Sequence, residues 1–311
     1  MSAVRGERVA ILLATFNGER HLARQLDSIL GQDHRNWVIY ASDDGSSDRT
    51  LPLLQAFQAK AGPQRLVLFD GPQAGYAANF MSLLHRVSVD GDFYAFCDQD
   101  DYWEPDKLSR ALAWARQQPG DRPALYCGRT RLIDIEGRPV GYSPLFARKP
   151  GFRNALAQSL AGGNTMLLNA AARALLVQAP RGLAVTSHDW WAYLVVSGCG
   201  GHVHYDAEPA VGYRQHDDNL IGSNAGMRAR LDRLKKMLGG SYKVWNDINL
   251  TGLDTLEAKL TEDNRRILAL FRNVRAAWLF KRLDSLARSG IYRQTMTGNL
   301  GMVLAVMLRR F

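Results

Sequence analysis

An α/β fold, with a mostly parallel sheet flanked by helices, is predicted for this chain of 311 residues on three observations. Short, almost wholly apolar runs recur at residues 9–14, 38–41, 66–69 and 93–97. Segments with apolar residues at helical spacing separate these runs, as crossover helices separate parallel strands. The first, second and fourth runs each end in a polar or acidic cluster, and ligands bind at the carboxyl ends of such strands.

The elements follow in order. Residues 9–14 read as a buried strand that exits through Thr15-Phe16-Asn17-Gly18 into a helix bearing Leu22, Leu26, Ile29 and Leu30. Residues 38–41 form the second strand. It ends in Ser42-Asp43-Asp44-Gly45-Ser46-Ser47-Asp48, which supplies cap residues for a helix with Leu51, Leu54 and Phe57. A third strand at 66–69 precedes a helix over 79–87, and the fourth strand runs directly into Asp98-Gln99-Asp100-Asp101. Pro105 suits the first turn of the helix carrying Leu108 and Leu112. Glu136-Gly137 marks a hairpin, and helices are expected from Ala170 and from His188, with Ser187 as cap. A late strand at 211–214 ends in Gln215-His216, and from residue 226 the pattern is helical and basic.

Hydrophobic residues at 46% and charged residues at 22% exclude a disordered or fibrous chain. The net charge of +9 is uneven. Residues 1–225 hold 22 Lys/Arg against 23 Asp/Glu, and residues 226–311 hold 17 against 7. A near-neutral globular body over 1–225 and a basic helical region over 226–311 are therefore expected. Cys97, Cys127 and Cys199 lack metal-site spacing and read as buried free thiols. Neither a signal peptide nor a membrane-spanning run is apparent, so a cytoplasmic protein is expected.

Asp98, Asp100 and Asp101 crowd three acids into four positions after a strand. That pattern fits an oxygen-ligand cation such as Mg²⁺ or Mn²⁺, or a solvated acidic turn. Asp43 can cap a turn or accept hydrogen bonds from a nucleoside. Asp189 is favourably placed as a helix N-terminal acid. Trp190 and Trp191 can present aromatic faces or pack in the core. His216 can complete a metal site or stand in a loop, and Arg214 can meet phosphate or pair with an acid. Gly-x-Gly-x-x-Gly and Gly-Lys-Ser/Thr loops are absent, which disfavours nicotinamide and P-loop enzymes.

The ordered set Thr15-Phe16-Asn17-Gly18, Asp43-Asp44-Gly45-Ser46-Ser47-Asp48, Asp98-Gln99-Asp100-Asp101, Gly163-Asn164-Thr165, His188-Asp189-Trp190-Trp191 and Tyr213-Arg214-Gln215-His216 resembles family 2 glycosyltransferases of the GT-A fold. Asn79-Phe80 and Asp98-to-Trp103 add a likeness to the rhamnosyltransferase subset. The resemblance covers roughly residues 7–222 and implies inverting sugar transfer from a nucleotide-diphosphate donor. It implies that Thr15, Asn17, Asp43, Asn79 and Asp98 hold the nucleotide, and that Asp98, Asp100 and His216 hold Mn²⁺ or Mg²⁺. Asp189 would be the general base, and Asp101, Arg214, Trp190 and Trp191 would contact diphosphate or acceptor. dTDP-rhamnose is the favoured donor, with UDP- and GDP-sugars as alternatives, and a lipid-linked glycan precursor is the acceptor. Ala77-Ala78 stand where many members carry an arginine, so phosphate contacts must come from elsewhere. A non-catalytic sugar-nucleotide or glycan-binding protein on the same fold is the alternative. A nucleotidyltransferase is disfavoured because the Gly-rich, Lys-bearing loop is missing.

In the basic region, Met227, Leu231 and Leu234 line one helical face, and Ile267, Leu270, Phe271, Val274, Trp278 and Leu279 line another. Such faces suit an anionic membrane surface, peripheral on the inner side of the cytoplasmic membrane, or packing on the body. Nucleic acid is not an expected partner, because no recognised binding motif accompanies the charge.

Overall fold

The computed structural model describes residues 6–86, 88–215 and 240–311. Strands β1 (Val9–Thr15), β2 (Trp37–Asp43), β3 (Leu66–Asp70) and β4 (Phe93–Cys97) alternate with helices α1 (Leu22–Leu30), α2 (Thr50–Ala61) and α3 (Tyr76–His85). The third helix thus begins three residues before its predicted start, after Gly75, whose φ of 87° breaks the chain direction.

β5 (Tyr102–Trp103), α4 (Lys107–Ala115), β6 (Ala124–Gly128), β7 (Arg131–Ile133), β8 (Pro139–Tyr142) and α5 (Phe152–Ala155) follow. Next come β9 (Leu167–Asn169), α6 (Ala170–Leu176), α7 (His188–Gly198), β10 (His202–Asp206) and β11 (Val211–Arg214). The hairpin expected at Glu136-Gly137 joins β7 to β8.

Seven strands form the main sheet in the order β10-β6-β9-β4-β1-β2-β3. Only β9, wedged between β4 and β6, runs antiparallel to its neighbours. Along β1, Ala10, Leu12 and Ala14 enter the core on one face, and Val9, Ile11 and Leu13 enter that on the other. Burial on both faces is why the strand is apolar throughout rather than alternating. The register pairs Thr15 with Asp43 and Leu13 with Cys97. The polar residues after β1, β2 and β4 therefore meet at one edge. A second, four-stranded sheet, β5-β11-β7-β8, stands beside that edge.

Four helices complete the described chain: α8 (Ser241–Asp254), α9 (Glu262–Ala276), α10 (Leu279–Ser289) and α11 (Met296–Met307). Their Leu253, Ile267, Phe271, Val274 and Val306, with Leu260 between α8 and α9, share one core with Leu12, Phe96 and Trp191 of the body. Of the two settings left open for the stripe, membrane surface or packing on the body, Ile267, Phe271 and Val274 take the second; burying a side chain of that size against the core is worth ~1.5–3 kcal/mol. The stripe of Met227, Leu231 and Leu234 lies outside the described residues, as does His216. No helix among the described residues is long and apolar enough to cross a membrane. The three cysteines are free thiols, with Cys97 and Cys127 buried.

Candidate active site

The loops after β1 and β2 are stitched into one cradle. Thr15 donates its hydroxyl to Asp43 Oδ1 at 2.8 Å, and the Ser46 backbone N–H reaches Asp43 Oδ2 at 2.8 Å. The Ser46 hydroxyl also donates to Asp43 Oδ1, at 2.6 Å, so both Asp43 oxygens order the turn. Asn17 holds a left-handed backbone (φ 47°), which a short amide side chain tolerates. From there its Oδ1 accepts the Ser47 backbone N–H at 2.9 Å, while its own N–H donates to the Ser46 hydroxyl at 2.8 Å. Asp44 fastens the next loop by accepting the N–H groups of Gln73 and Gly75.

Gln99 ties the Asp98–Asp101 segment to this cradle. Its amide both accepts from and donates to the Phe16 backbone, each at 2.9 Å. Gly18 permits that approach, since a Cβ there would lie 2.3 Å from Gln99 Oε1. The sequence reading assigned Gln99 no role. A glutamine between two candidate ligands becomes recognisable as a clasp only once β1 and β4 are adjacent.

Asp98 leaves β4 toward the opening, and no hydrogen bond reaches its carboxylate among the described residues. Burial, then the charges of Asp100 and Asp189, push its carboxyl up to about 8. The loop after β4, with Asp98 and Asp100, and the first turn of α7, with Asp189, therefore converge on one electrostatic site. Tyr76, at the start of α3, joins them: burial and the charges of Asp189 and Asp98 raise its phenol to about 12. Nothing in the local sequence marks Tyr76, because only the docking of α3 against α7 brings it there.

Asp189 sits in the first turn of α7, where the helix dipole favours negative charge. Its Oδ1 accepts the Ser187 hydroxyl and the Trp190 N–H, the latter at 2.6 Å, and among the described residues no hydrogen bond falls on Oδ2. Ser187 stands at the N-cap position as expected, but its hydroxyl orients Asp189 instead of capping the backbone. His188 points the other way, 4% exposed and stacked on Phe80 with centroids 3.9 Å apart. Phe96 meets the same ring edge-on, and burial lowers the imidazole to about 4, so the ring is neutral.

Burial bears on four of the assignments that the resemblance implies, and for the tryptophans it favours the core alternative left open by the sequence. Trp190 and Trp191 are 5% and 0% exposed and pack in the core, with the Trp190 indole N–H bound to the Ala155 carbonyl; neither offers a face to an acceptor. Arg214 is 2% exposed and donates to the carbonyls of Asp100, Asp134 and Ile135, so it braces the acidic loop from behind and is not placed as a phosphate contact. Asp101 is fully buried, accepting from Asn164 Nδ2 and the Arg214 N–H, and it acts as a strut. Asn79 is 1% exposed, with its amide donating to the Ser42 carbonyl, which puts it beneath the cradle rather than at its surface.

The residues fit a hard divalent cation in kind. An acid held near 8 by burial and by like charges is stabilised when a cation enters, and its oxygens suit Mg²⁺ or Mn²⁺. Among the described residues no group of three or more His, Cys, Asp or Glu side chains is arranged to hold a metal. Asp98 and Asp100 would be the protein ligands, leaving other positions to ligand or water oxygens.

The glycosyl transferase family 2 model matches residues 10–176, the span containing the cradle and the acidic loop. The chain belongs to this family. It is a glycosyltransferase, and among its relatives is a dTDP-rhamnosyl transferase, RfbG of Shigella flexneri, 29% identical over 71% of this chain and 78% of that one. Among solved structures, Staphylococcus aureus TarS with UDP-GlcNAc superposes with a TM-score of 0.57 at 15% identity, over 97% of this chain and 90% of that chain. A Pyrobaculum calidifontis mannosyltransferase with GDP-Man and Mn²⁺ gives 0.50 at 16% identity, over 98% and 86%. At these identities the likeness carries the fold alone, and that fold is GT-A.

Proposed function

We propose that this transferase moves a sugar, with rhamnose foremost, from a nucleotide-diphosphate donor to an acceptor hydroxyl with inversion. The convergence of Asp98, Asp100 and Asp189 beside the Thr15–Asp43 cradle is the observation that carries this reading. The relative named for dTDP-rhamnose supports that donor, and the neighbours holding UDP-GlcNAc and GDP-Man support the wider class of nucleotide sugars. A lipid-linked precursor of a cell-surface glycan is the proposed acceptor, met by a protein peripheral on the inner face of the cytoplasmic membrane. Residues 1–225 are the catalytic domain in this reading, and 226–311 a basic helical region.

In the proposed step Asp189, through Oδ2, takes the proton from the acceptor hydroxyl as its oxygen attacks the anomeric carbon. Attack comes from the face opposite the diphosphate; the carbon–oxygen bond to the donor breaks and its electron pair leaves on the diphosphate. Ser187 and the α7 N-terminus hold the base in place through Oδ1. Thr15, Asn17 and Asp43 shape the nucleoside cradle, while Asp98 and Asp100 would hold the divalent ion. Such an ion supplies positive charge against the charge growing on the leaving group.

Asp189→Asn tests the assignment. Transfer measured with dTDP-rhamnose and a lipid-linked acceptor should fall by about 10²–10⁴, the usual worth of a general base. Donor affinity by calorimetry should stay within about twofold, because no cradle contact is lost. Full turnover in that variant would remove Asp189 from the chemistry.

A further inference from the structure

The last two helices carry an apolar surface that the fold leaves uncovered. No charged residue occurs in α11, and Met302, Ala305 and Val306 on one side of it are buried. On the other side Leu300, Val303, Leu304 and Met307 recur at helical spacing, between 38% and 71% exposed. Arg282 of α10 donates to the carbonyls of Val306 and Met307, which fastens the start of α10 against the end of α11. That contact brings Trp278 and Phe280, 60% and 71% exposed, to the same end of the molecule. Their rings meet edge-to-face with centroids 5.4 Å apart. Exposed apolar side chains scattered singly are ordinary, whereas a contiguous set of this kind marks a surface that meets something.

The charges around the set identify what it meets. Elsewhere in the basic region arginines are matched to acids: Arg272 to Asp254 and Glu257, Arg275 to Asp247, Arg266 to Glu262 and Arg288 to Asp284. Lys281, Arg309 and Arg310, which flank the apolar set in sequence, are exposed and in no ion pair among the described residues. Lys243, Lys259 and Arg265 are likewise exposed and in no ion pair among the described residues, so what distinguishes this face is the union of such cations with uncovered apolar side chains. A second copy docked face to face would bring its own cations against these, since a two-fold interface repeats the same patch. Anionic headgroups over an acyl layer match both features at once.

We propose that the α10–α11 face docks on an anionic lipid bilayer. Trp278, Phe280 and the Leu300–Leu304 side of α11 enter the acyl boundary, and Lys281, Arg309 and Arg310 lie among the headgroups. The proposal rests on the peripheral-membrane reading above and deepens it by assigning it to this surface, which keeps Trp278 of the predicted stripe while Ile267, Phe271 and Val274 pack in the core.

Flotation of the full chain with phosphatidylcholine vesicles, with and without phosphatidylglycerol, tests it. The wild type should bind the anionic vesicles and release as salt rises. The double substitution Leu300→Glu with Leu304→Glu should lower partitioning by about tenfold or more, with circular dichroism unchanged because both sites are exposed. Removing charge with Lys281→Gln, Arg309→Gln and Arg310→Gln should also lower anionic-vesicle binding by about tenfold or more and flatten its salt dependence. Failure of the wild type to bind, or equal binding by the Leu300/Leu304 variant, would overturn the proposal. So would a dimer seen by light scattering that this variant abolishes, since the face would then belong to a second copy. Neither donor nor turnover enters the assay, so its failure leaves the transferase reading standing.

Discussion

His188 makes the stability of this enzyme sensitive to acid in a way that can be isolated. The ring is 4% exposed, stacked on Phe80, and both its nitrogens are buried without a hydrogen-bond partner among the described residues. Burial lowers it to about 4 against an ordinary 6.5. Folding thus weakens its hold on a proton, so the unfolded chain carries more protons between pH 4 and 6.5. Stability accordingly falls as pH drops through that window. The full loss is about 3 kcal/mol, of which about 2 kcal/mol is gone by pH ~5. His188→Leu keeps an apolar side chain of similar volume and removes the titration. Urea unfolding followed by tryptophan fluorescence at pH ~8 and ~5 should show the wild type losing about 2 kcal/mol more than the variant. His85, His202 and His204, also lowered by burial, are present in both proteins and cancel in the difference. Parallel losses in the two proteins, within about 0.5 kcal/mol, would refute the argument that the ring is held neutral.

Gly163→Ala attacks the same ring from the backbone side. A Cβ there would lie 2.1 Å from His188 Nε2, and Phe80 and Phe96 block retreat, so a destabilisation of about 1–3 kcal/mol is expected in thermal melts. An unchanged midpoint would show that α7 can shift. Asn17→Gly keeps the left-handed backbone but loses the amide contact to Ser47; donor affinity by calorimetry should fall while the melting temperature moves little. Equal affinity would remove the cradle from donor binding. Chelation should weaken donor binding and Mn²⁺ should restore it, with Asp100→Asn blunting the response; donor affinity indifferent to chelation would exclude Asp98 and Asp100 as an ion site.

Much of the fold is legible locally, because a strand buried on both faces must be apolar throughout and a crossover helix must present one apolar stripe. Thus β1, β2, β4 and β11 fall where the runs at 9–14, 38–41, 93–97 and 211–214 place them. The short antiparallel β9 is less visible: three residues cannot establish a period, and its place between β4 and β6 is a tertiary fact. Trp190 and Trp191 illustrate a signal that was available. Every residue of α7 is buried, and a helix whose sequence is apolar nearly all round is a core helix before it is a binding platform.

The sequence by itself determined the α/β rhythm, the polar strand ends and the acids that could do chemistry, since each rests on spacings of a few residues. Tertiary structure decided which of those groups meet. It turned Asp189 toward Asp98 and His188 into the core, and it set Arg214 and Asp101 behind the acidic loop as braces. It also divided the predicted stripe, burying Ile267, Phe271 and Val274 and leaving Trp278 uncovered beside Phe280. The reason is common to all of these. A side chain's chemistry is local, but its burial and its neighbours' charges depend on elements distant in the chain, and those two quantities separate an acid that faces the site from one that braces it.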